Sequence, residues 1–528
     1  MKNARTQGPA RGAAAVAMVM LIAAALAGCG GGGGGGGNAA VLAAPIASPV
    51  VATPAEPIVA SASVAGQCAA PRNGIDPDTG AAFPDQPGSL DTEKSWVRAW
   101  IDETYLWFDE VPTGLAARDY ATPIAYFGVL KTPRLTASGR AKDRFHFTAD
   151  TADYRAMSQS DTQLGYGMAL AFLSPSPPRD IRVAFTEPGS PAAQSAITRG
   201  TRLIAIDGID VANGSNVTGL NAALAPLHEG ELHDFTLQAP DGSTRGVALA
   251  AARITRTPVQ NVKTIDTANG RVGYMLFNDH FASAEAQLIA AVNQFSSAGI
   301  ADLVIDMRYN GGGLLDIASE LATMVSAPSA TTGAVFERLL FNSKNPFHLT
   351  AAQSTLLFPT TSRGLSTPAG QPLPRLGLSR VTVLTGPDTC SASESVVNSL
   401  RGVGLTVDLV GGTTCGKPYA YFPQDNCGTT YFAIQFQGVN QQGFGDYGDG
   451  FAPNCVIADD FAHALGDPAE ARLAAALTLR SGGACPAGAV TKDASARLKT
   501  EQAGQPYLVR SPLQTNRIVA PPDTLRHD

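Results

Sequence analysis

The chain has 528 residues, 44% of them hydrophobic and 16% charged, with a formal net charge of −7. That length holds two or three domains with real cores, and the composition is that of an ordinary globular protein. No basic stripe and no interleaving of basic with aromatic residues occurs, which argues against a nucleic-acid partner.

Lys2, Arg5 and Arg11 form a positive flank, Ala13 to Leu26 an apolar stretch, and Leu26-Ala27-Gly28-Cys29 a small-residue exit. Residues 1–28 therefore read as an export signal. The stretch is too short and too alanine-rich for a membrane span. Cys29 at the exit resembles the lipobox of bacterial lipoproteins. That resemblance implies an acylated Cys29, hence a lipid-anchored protein of the bacterial cell envelope, on the outer membrane and facing the periplasm or the surface. Gly30 to Gly37 and an Ala/Pro/Val-rich run to Ala65 lack any apolar period. Residues 29–65 are expected to be a flexible tether.

In residues 66–158 the pattern turns helical. Asp91 is placed as an N-cap before Thr92-Glu93-Lys94-Ser95, and Trp96, Trp100, Ile101 and Tyr105 recur at helical spacing, with Trp107 at the end of the same helix. An aromatic stripe of this kind predicts core or a domain interface rather than a ligand site. The segment is expected to form a small, mostly helical N-terminal domain.

Residues 159–254 show short apolar alternations cut by turns: Leu164-Gly165-Tyr166-Gly167, Ile181 to Phe185, Gly189-Ser190-Pro191-Ala192-Ala193, and Leu203 to Gly208. A glycine loop before a strand and a Gly-Ser-Pro-Ala-Ala turn into a helix resemble a PDZ domain of the bacterial protease type. The resemblance implies that the amides of Leu164, Gly165, Tyr166 and Gly167 take a C-terminal carboxylate while a groove beside them takes apolar side chains.

Residues 255–482 alternate strand and helix. Strands are predicted at Val272 to Phe277, Leu303 to Asp306, Val381 to Thr385, Leu405 to Val410 and Thr430 to Phe436, and helices at Ala284 to Phe295, Leu314 to Val325 and after Ser391. Such units imply right-handed crossovers and a largely parallel sheet. Asp467-Pro468-Ala469-Glu470 predicts a capping box opening a last helix through Leu479. Ser326 to Arg380 is too long for a plain connection. Residues 483–528 form a tail.

Ser391, in Ser391-Ala392-Ser393-Glu394, stands where a strand turns into a helix, and Lys417 follows at the next strand end. This is a nucleophile-and-base pair that needs no histidine. A lysine amine in water titrates near pH 10.4, so such a base has to be desolvated. Lys417 sits among Cys415, Pro418 and Tyr419 with no acid nearby in sequence. At a helix start, the amide of Ala392 is free to hold a developing oxyanion.

Asp306-Met307-Arg308-Tyr309-Asn310-Gly311-Gly312-Gly313, the Ser391 run and Gly416-Lys417, placed behind the PDZ-like segment, resemble the C-terminal processing peptidases, or tail-specific proteases. The resemblance implies an α/β, ClpP/crotonase-like protease core and polypeptide substrates with apolar C-termini. It makes Ser391 the nucleophile and Lys417 the general base, and it takes a second oxyanion donor from Gly312 or Gly313. No cofactor and no metal are implied. Two positions depart from the family pattern: Tyr421 stands where many members carry a glutamine, and Gly402 where some carry a carboxylate. His280 is read as structural. A catalytically inactive peptide-binding or scaffolding protein, and a crotonase-like acyl-thioester enzyme that binds coenzyme A, are the alternatives on the same fold.

Six cysteines remain besides Cys29, none in zinc-ligand spacing. A contact between Ser391 and Lys417 would bring Cys390 and Cys415 together, so a bridge between them is expected. Cys427 with Cys455 and Cys68 with Cys485 are the leftover pairs.

Overall fold

The computed structural model describes residues 58–77, 79–160 and 162–486, with the side chains of 156–160 outside that description. The predicted export signal, Cys29 and the tail beyond residue 486 lie outside the described residues, and no described helix is long and apolar enough to cross a membrane.

The first long helix, α1, runs Leu90–Thr104. Its N-cap is Ser89, not Asp91: Ser89 Oγ accepts from the Thr92 amide at 3.2 Å and Thr92 Oγ1 from the Ser89 amide at 2.8 Å. Asp91 instead lies in the first turn, where its charge suits the positive helix end. The helix stops before Trp107 because Asn342 Nδ2 takes the carbonyls of Glu103 and Tyr105, each at 3.0 Å, and Leu106 bonds across to Ile434. Part of the expected tether is docked on this helix, since the amide of Ser61 donates to Glu103 at 2.8 Å.

Trp96 and Trp100 stack with ring centroids 5.5 Å apart, and both meet Tyr431 from far along the chain. The N-terminal segment therefore has no core of its own; it shares one with Tyr421, Phe432 and Ile434. One long helix and a few short ones cannot enclose so many aromatic rings alone. Strand β1, Phe147–Asp150, continues the same seam and leads into α2, Thr151–Ser160. The Cys68–Cys427 disulfide closes the seam, and the third bridge joins Cys455 to Cys485, so both leftover pairings expected from sequence are overturned. The reason is the shared core, which carries Cys68 to the hairpin that holds Cys427.

The middle unit starts with β2, Thr162–Gly165, and β3, Met168–Ser174, followed by β4, Asp180–Thr186, and β5, Arg202–Ile206. Helix α3, Val217–Leu224, precedes β6, Leu232–Gln238, β7, Thr244–Ala250, and β8, Ala252–Thr255. The main sheet has the order β7-β6-β5-β4-β3, which leaves β3 on an edge, while β2 pairs with β8.

The last unit is the doubly covered sheet. Its strands are β9, Val259–Thr267, β10, Gly270–Phe277, and, after α4, Ala284–Ala298, β11, Asp302–Asp306. Helix α5, Leu315–Val325, leads to β12, Val335–Phe341, and β13, Thr355–Leu357. Then come β14, Arg380–Thr385, α6, Ala392–Gly402, and β15, Thr406–Gly411. The short strands β16, Tyr419–Ala420, and β17, Gln424–Asn426, precede β18, Thr429–Phe432, β19, Phe436–Val439, β20, Cys455–Val456, and α7, Ala471–Arg480. The large sheet has the order β9-β10-β11-β14-β15-β20, antiparallel only at β9.

Two details differ from the sequence reading. The strand expected over Thr430 to Phe436 is broken at Ala433–Gln435 into β18 and β19, which belong to different sheets, and Gln435 Oε1 takes the Phe422 amide instead. The last helix opens at Glu470, whose side chain accepts from the Leu473 amide, because Asp467 is spent on the turn before it.

Candidate active site

Ser391 sits in the turn between β14 and α6 with φ 56° and ψ −118°, a conformation that non-glycine residues seldom adopt, and it is 4% exposed. Neighbours over-determine the turn: the Ser391 amide donates to Glu394 Oε2 at 3.0 Å, and the Cys390 amide and Ser393 Oγ both donate to the carbonyl of Asn310. A fully buried parallel sheet delivers the serine here, since successive strands end on one edge.

The glycine turn after β11 packs directly on Ser391. A Cβ on Gly312, which has φ +96°, would lie 2.7 Å from the Cys390 carbonyl oxygen, 2.8 Å from the Ala392 nitrogen and 2.9 Å from Ser391 Cβ. Only glycine fits. Asn310 fixes the turn: its Oδ1 accepts from the Gly312 amide at 2.9 Å and from His280 Nδ1 at 3.1 Å, while its Nδ2 donates to the Phe277 carbonyl. Of the three expected oxyanion donors, Gly312 is thus engaged, whereas the amides of Ala392 and Gly313 donate to no group among the described residues. Burial pushes His280 down to about 3, so the imidazole is neutral and serves the turn rather than a triad.

Below the turn, buried Arg308 meets Asp306, Asp459 and Glu470 at 2.7–2.9 Å. Although burial opposes it, the guanidinium groups of Arg472, Arg308 and Arg199 hold the Asp459 carboxyl well below the usual range.

Lys417 is 1% exposed. Its Nζ lies 4.3 Å from the ring centroid of Tyr421 and 5.3 Å from that of Phe145. Burial lowers its pKa to about 7; Asp143 and Glu394 act against the fall and Arg144 with it. The chain neighbourhood of Lys417 is free of acids, but two reach it through space, which the sequence pattern did not disclose. Glu394 also ties the two candidate groups together: its Oε2 accepts from the amides of both Ser391 and Lys417, at 3.0 and 2.8 Å, and its Oε1 from Gly416 and Thr414. The Cys390–Cys415 disulfide braces the same corner, with Cα atoms 5.1 Å apart. Cys390, Cys415 and Glu394 converge, yet both sulfurs are spent on the bridge.

Three residues that sequence reasoning missed come from the N-terminal segment. Asp143 is buried and accepts from Tyr105 Oη at 2.6 Å; Phe145 covers the lysine; Arg144 Nη2 donates to the carbonyls of Cys415, Gly416 (3.0 Å) and Gly448 (3.2 Å). Their signal in the sequence is only the run Asp143-Arg144-Phe145, which follows no period. The two family departures also find an account. The Tyr421 ring faces the amine, and a side chain at Gly402 would strike Asn440 Cγ at 2.7 Å.

The loop Leu164-Gly165-Tyr166-Gly167 lines a cavity of about 230 Å³ together with β3, Leu224, Asn278 and Tyr309. The Tyr166 side chain points into the core, its Oη donating to the Ala223 carbonyl, while the amides of Tyr166 and Gly167 donate to no group among the described residues.

Residues 271–422 match the model of peptidase family S41, and residues 92–147 match that of the peptidase S41 N-terminal domain. Both matches are to segments described for S41 peptidases, one N-terminal to the other in the chain. The N-terminal match runs to Phe147 and takes in Asp143, Arg144 and Phe145, so the residues around the lysine come from both matched segments. The chain is 30% identical over 272 residues to a carboxyl-terminal-processing protease of Picosynechococcus sp., covering 57% of that relative, and 29% identical over 165 residues to a chloroplastic C-terminal processing peptidase of Tetradesmus obliquus, covering 34% of it. It thus spans about half of the first and a third of the second. A Bacteroides fragilis protein described as an S41 protease shares the fold, with a TM-score of 0.57, 22% identity, and coverage of 73% of this chain and 97% of that one.

Proposed function

We propose that this S41-family chain is a serine endopeptidase of the C-terminal processing type, with Ser391 as nucleophile and Lys417 as general base. The observation that carries the reading is a buried lysine, its pKa drawn down to about 7 so that a large share is neutral at that pH, whose backbone hangs from the same carboxylate oxygen as the backbone of a strained serine. In the reaction Lys417 Nζ takes the Ser391 hydroxyl proton as Oγ attacks the scissile carbonyl. The amides of Ala392 and Gly313 hold the oxyanion, and the ammonium returns its proton to the departing amine. Water then cleaves the acyl-enzyme by the same route in reverse.

Ser391→Ala and Lys417→Ala should each lower proteolysis of an unfolded protein substrate by at least about 10³-fold without loss of fold; an active variant of either kind refutes the assignment. The middle unit supports a PDZ-like role, since the free amides of Tyr166 and Gly167 suit a terminal carboxylate and the edge strand β3 suits strand addition. An amidated C-terminus should then weaken binding, and equal binding speaks against that role. Lipid anchoring through Cys29 belongs to the same reading, and loss of membrane fractionation and of fatty-acid labelling in Cys29→Ser tests it.

A further inference from the structure

Asn278, just after β10, is 3% exposed and lines the 230 Å³ cavity, yet neither its Oδ1 nor its Nδ2 has a partner. Buried carboxamides are seldom left with both ends empty. The backbone of Asn278 is already fixed, its amide donating to the Pro258 carbonyl at 2.8 Å. Charged neighbours in the cavity wall have partners of their own: Glu187 accepts from the Thr257 amide and from Gln260 Nε2, and Arg256 pairs with Asp279 and stacks on Phe281 at 3.7 Å.

The place of this residue is as telling as its empty valences. Leu164 to Leu170 line the same cavity. Two residues further along from Asn278 is His280, whose backbone brackets the glycine turn, its amide donating to the Gly312 carbonyl and its carbonyl accepting from Leu314. Asn278 therefore shares a cavity with the loop that suits a chain end and lies two residues before the backbone that brackets the turn packed on Ser391.

A ligand that offers a donor and an acceptor together, whatever its side chains, is the peptide group itself. We propose that Asn278 is a backbone-binding residue: its carboxamide pairs with one N–H and one C=O of the extended polypeptide that runs from the Leu164–Gly167 loop towards Ser391. The inference rests on the proteolytic, tail-binding reading above. It adds a contact that is indifferent to substrate sequence, beside the apolar side chains of Leu164, Met168, Leu170 and Phe172 that line the same cavity.

The test is binding of a fluorescent peptide with a free apolar C-terminus to full-length protein in the Ser391→Ala background, with and without Asn278→Leu. The Leu variant should bind about five- to thirtyfold more weakly, while its melting temperature rises, because an unsatisfied amide has been replaced by an apolar group of similar size. A scan of single backbone N-methylations should reveal one position that weakens binding to the Asn278 protein and has no effect on the Leu variant. Equal affinities, or methylation effects that are the same in both proteins at every position, would show that the carboxamide is merely hydrated and overturn the inference alone. No binding by the Asn278 protein overturns the tail-binding reading and the inference together. Asn278→Ala repeats the comparison if the Leu variant folds poorly.

Discussion

Arg144 and Asp143 come from the same loop of the N-terminal segment, yet they act on Lys417 with opposite signs, and that opposition is measurable. The amine is a base only when neutral, so kcat/KM in the free enzyme should rise with pH through the lysine pKa, near 7. Arg144→Met removes a positive charge that favours the neutral amine; the lysine pKa rises, and the acid limb moves to higher pH. Asp143→Asn removes a negative charge that favours the ammonium, and the limb moves to lower pH. Two unit charges about 8 Å apart at an effective dielectric of about 20 interact by about 2 kcal/mol. Arg144 is half-buried, and screening on its open side halves that to about 1 kcal/mol, or roughly 0.7 pH unit. Asp143 is buried, so its shift should be at least as large. The other groups facing the amine, Glu394 and the Phe145 and Tyr421 rings, are unchanged in both variants. The assay is kcat/KM on a quenched peptide from about pH 5 to about pH 9.5. A merely structural role for the loop would lower the plateau and leave the midpoint in place. Two midpoints that move in the same direction, or not at all, would refute Lys417 as the titrating base.

Lys417→Met should abolish activity and stabilise the protein. The folded pKa is lowered from 10.5 to about 7, so the unfolded chain binds the proton more tightly, and the lysine's cost grows as pH falls from above 10 to 7, then levels off. The gain should be a few kcal/mol near pH 7 and fade towards pH 10.5, and thermal melts over that range check it. Gly312→Ala should lose proteolysis by about 10²-fold or more while peptide binding at the Leu164–Gly167 loop persists, because the added carbon meets the backbone around Ser391. Reduction of the protein, or the double variant Cys390→Ser and Cys415→Ser, should lower kcat about tenfold or more, since about 1.4 kcal/mol of lost positioning suffices for that. Peptide affinity at the Leu164–Gly167 loop should change less than twofold; equal losses in both would mean that the bridge supports the fold, not the site.

The motif groups were readable because their local chemistry is demanding. The glycine that touches the Ser391 turn accepts no other residue, and Ser391 at a strand end before a helix that buries Val396, Val397 and Leu400 shows its place by periodicity alone. Cys390 and Cys415 followed from those positions. What could not be read lies in contacts between distant segments. The Cys68–Cys427 bridge depends on the N-terminal helix sharing a core with Tyr431 and Phe432, and nothing in the spacing of the cysteines reports that packing. Ser89 and Asp91 both suit the pattern of a helix cap, and only the backbone chooses between them. The lysine's surroundings were the largest omission. Two acids, Glu394 and Asp143, approach it from other elements, and sequence proximity suggested none.

Those acids bear on why the site has this form. A lysine buried among apolar groups alone would be a weak proton acceptor with a very low pKa, and one beside an unopposed carboxylate would remain an ammonium. Here burial and Arg144 draw the pKa down while Asp143 and Glu394 draw it up, and the outcome lies near 7, where a general base is most effective. Burial raises the Glu394 pKa, and the hydrogen bonds its oxygens accept from Thr414 and from the amides of Lys417, Gly416 and Ser391 hold that rise in check. The carboxylate is thereby a brace first and a charge second. Asp143 is likewise held by Tyr105 and the Phe145 amide. In the proposed mechanism the matched N-terminal segment is then part of the catalytic chemistry: without its loop at Asp143-Arg144-Phe145, the amine would lose one wall, one cation and one anion at once, and its proton affinity would no longer be set.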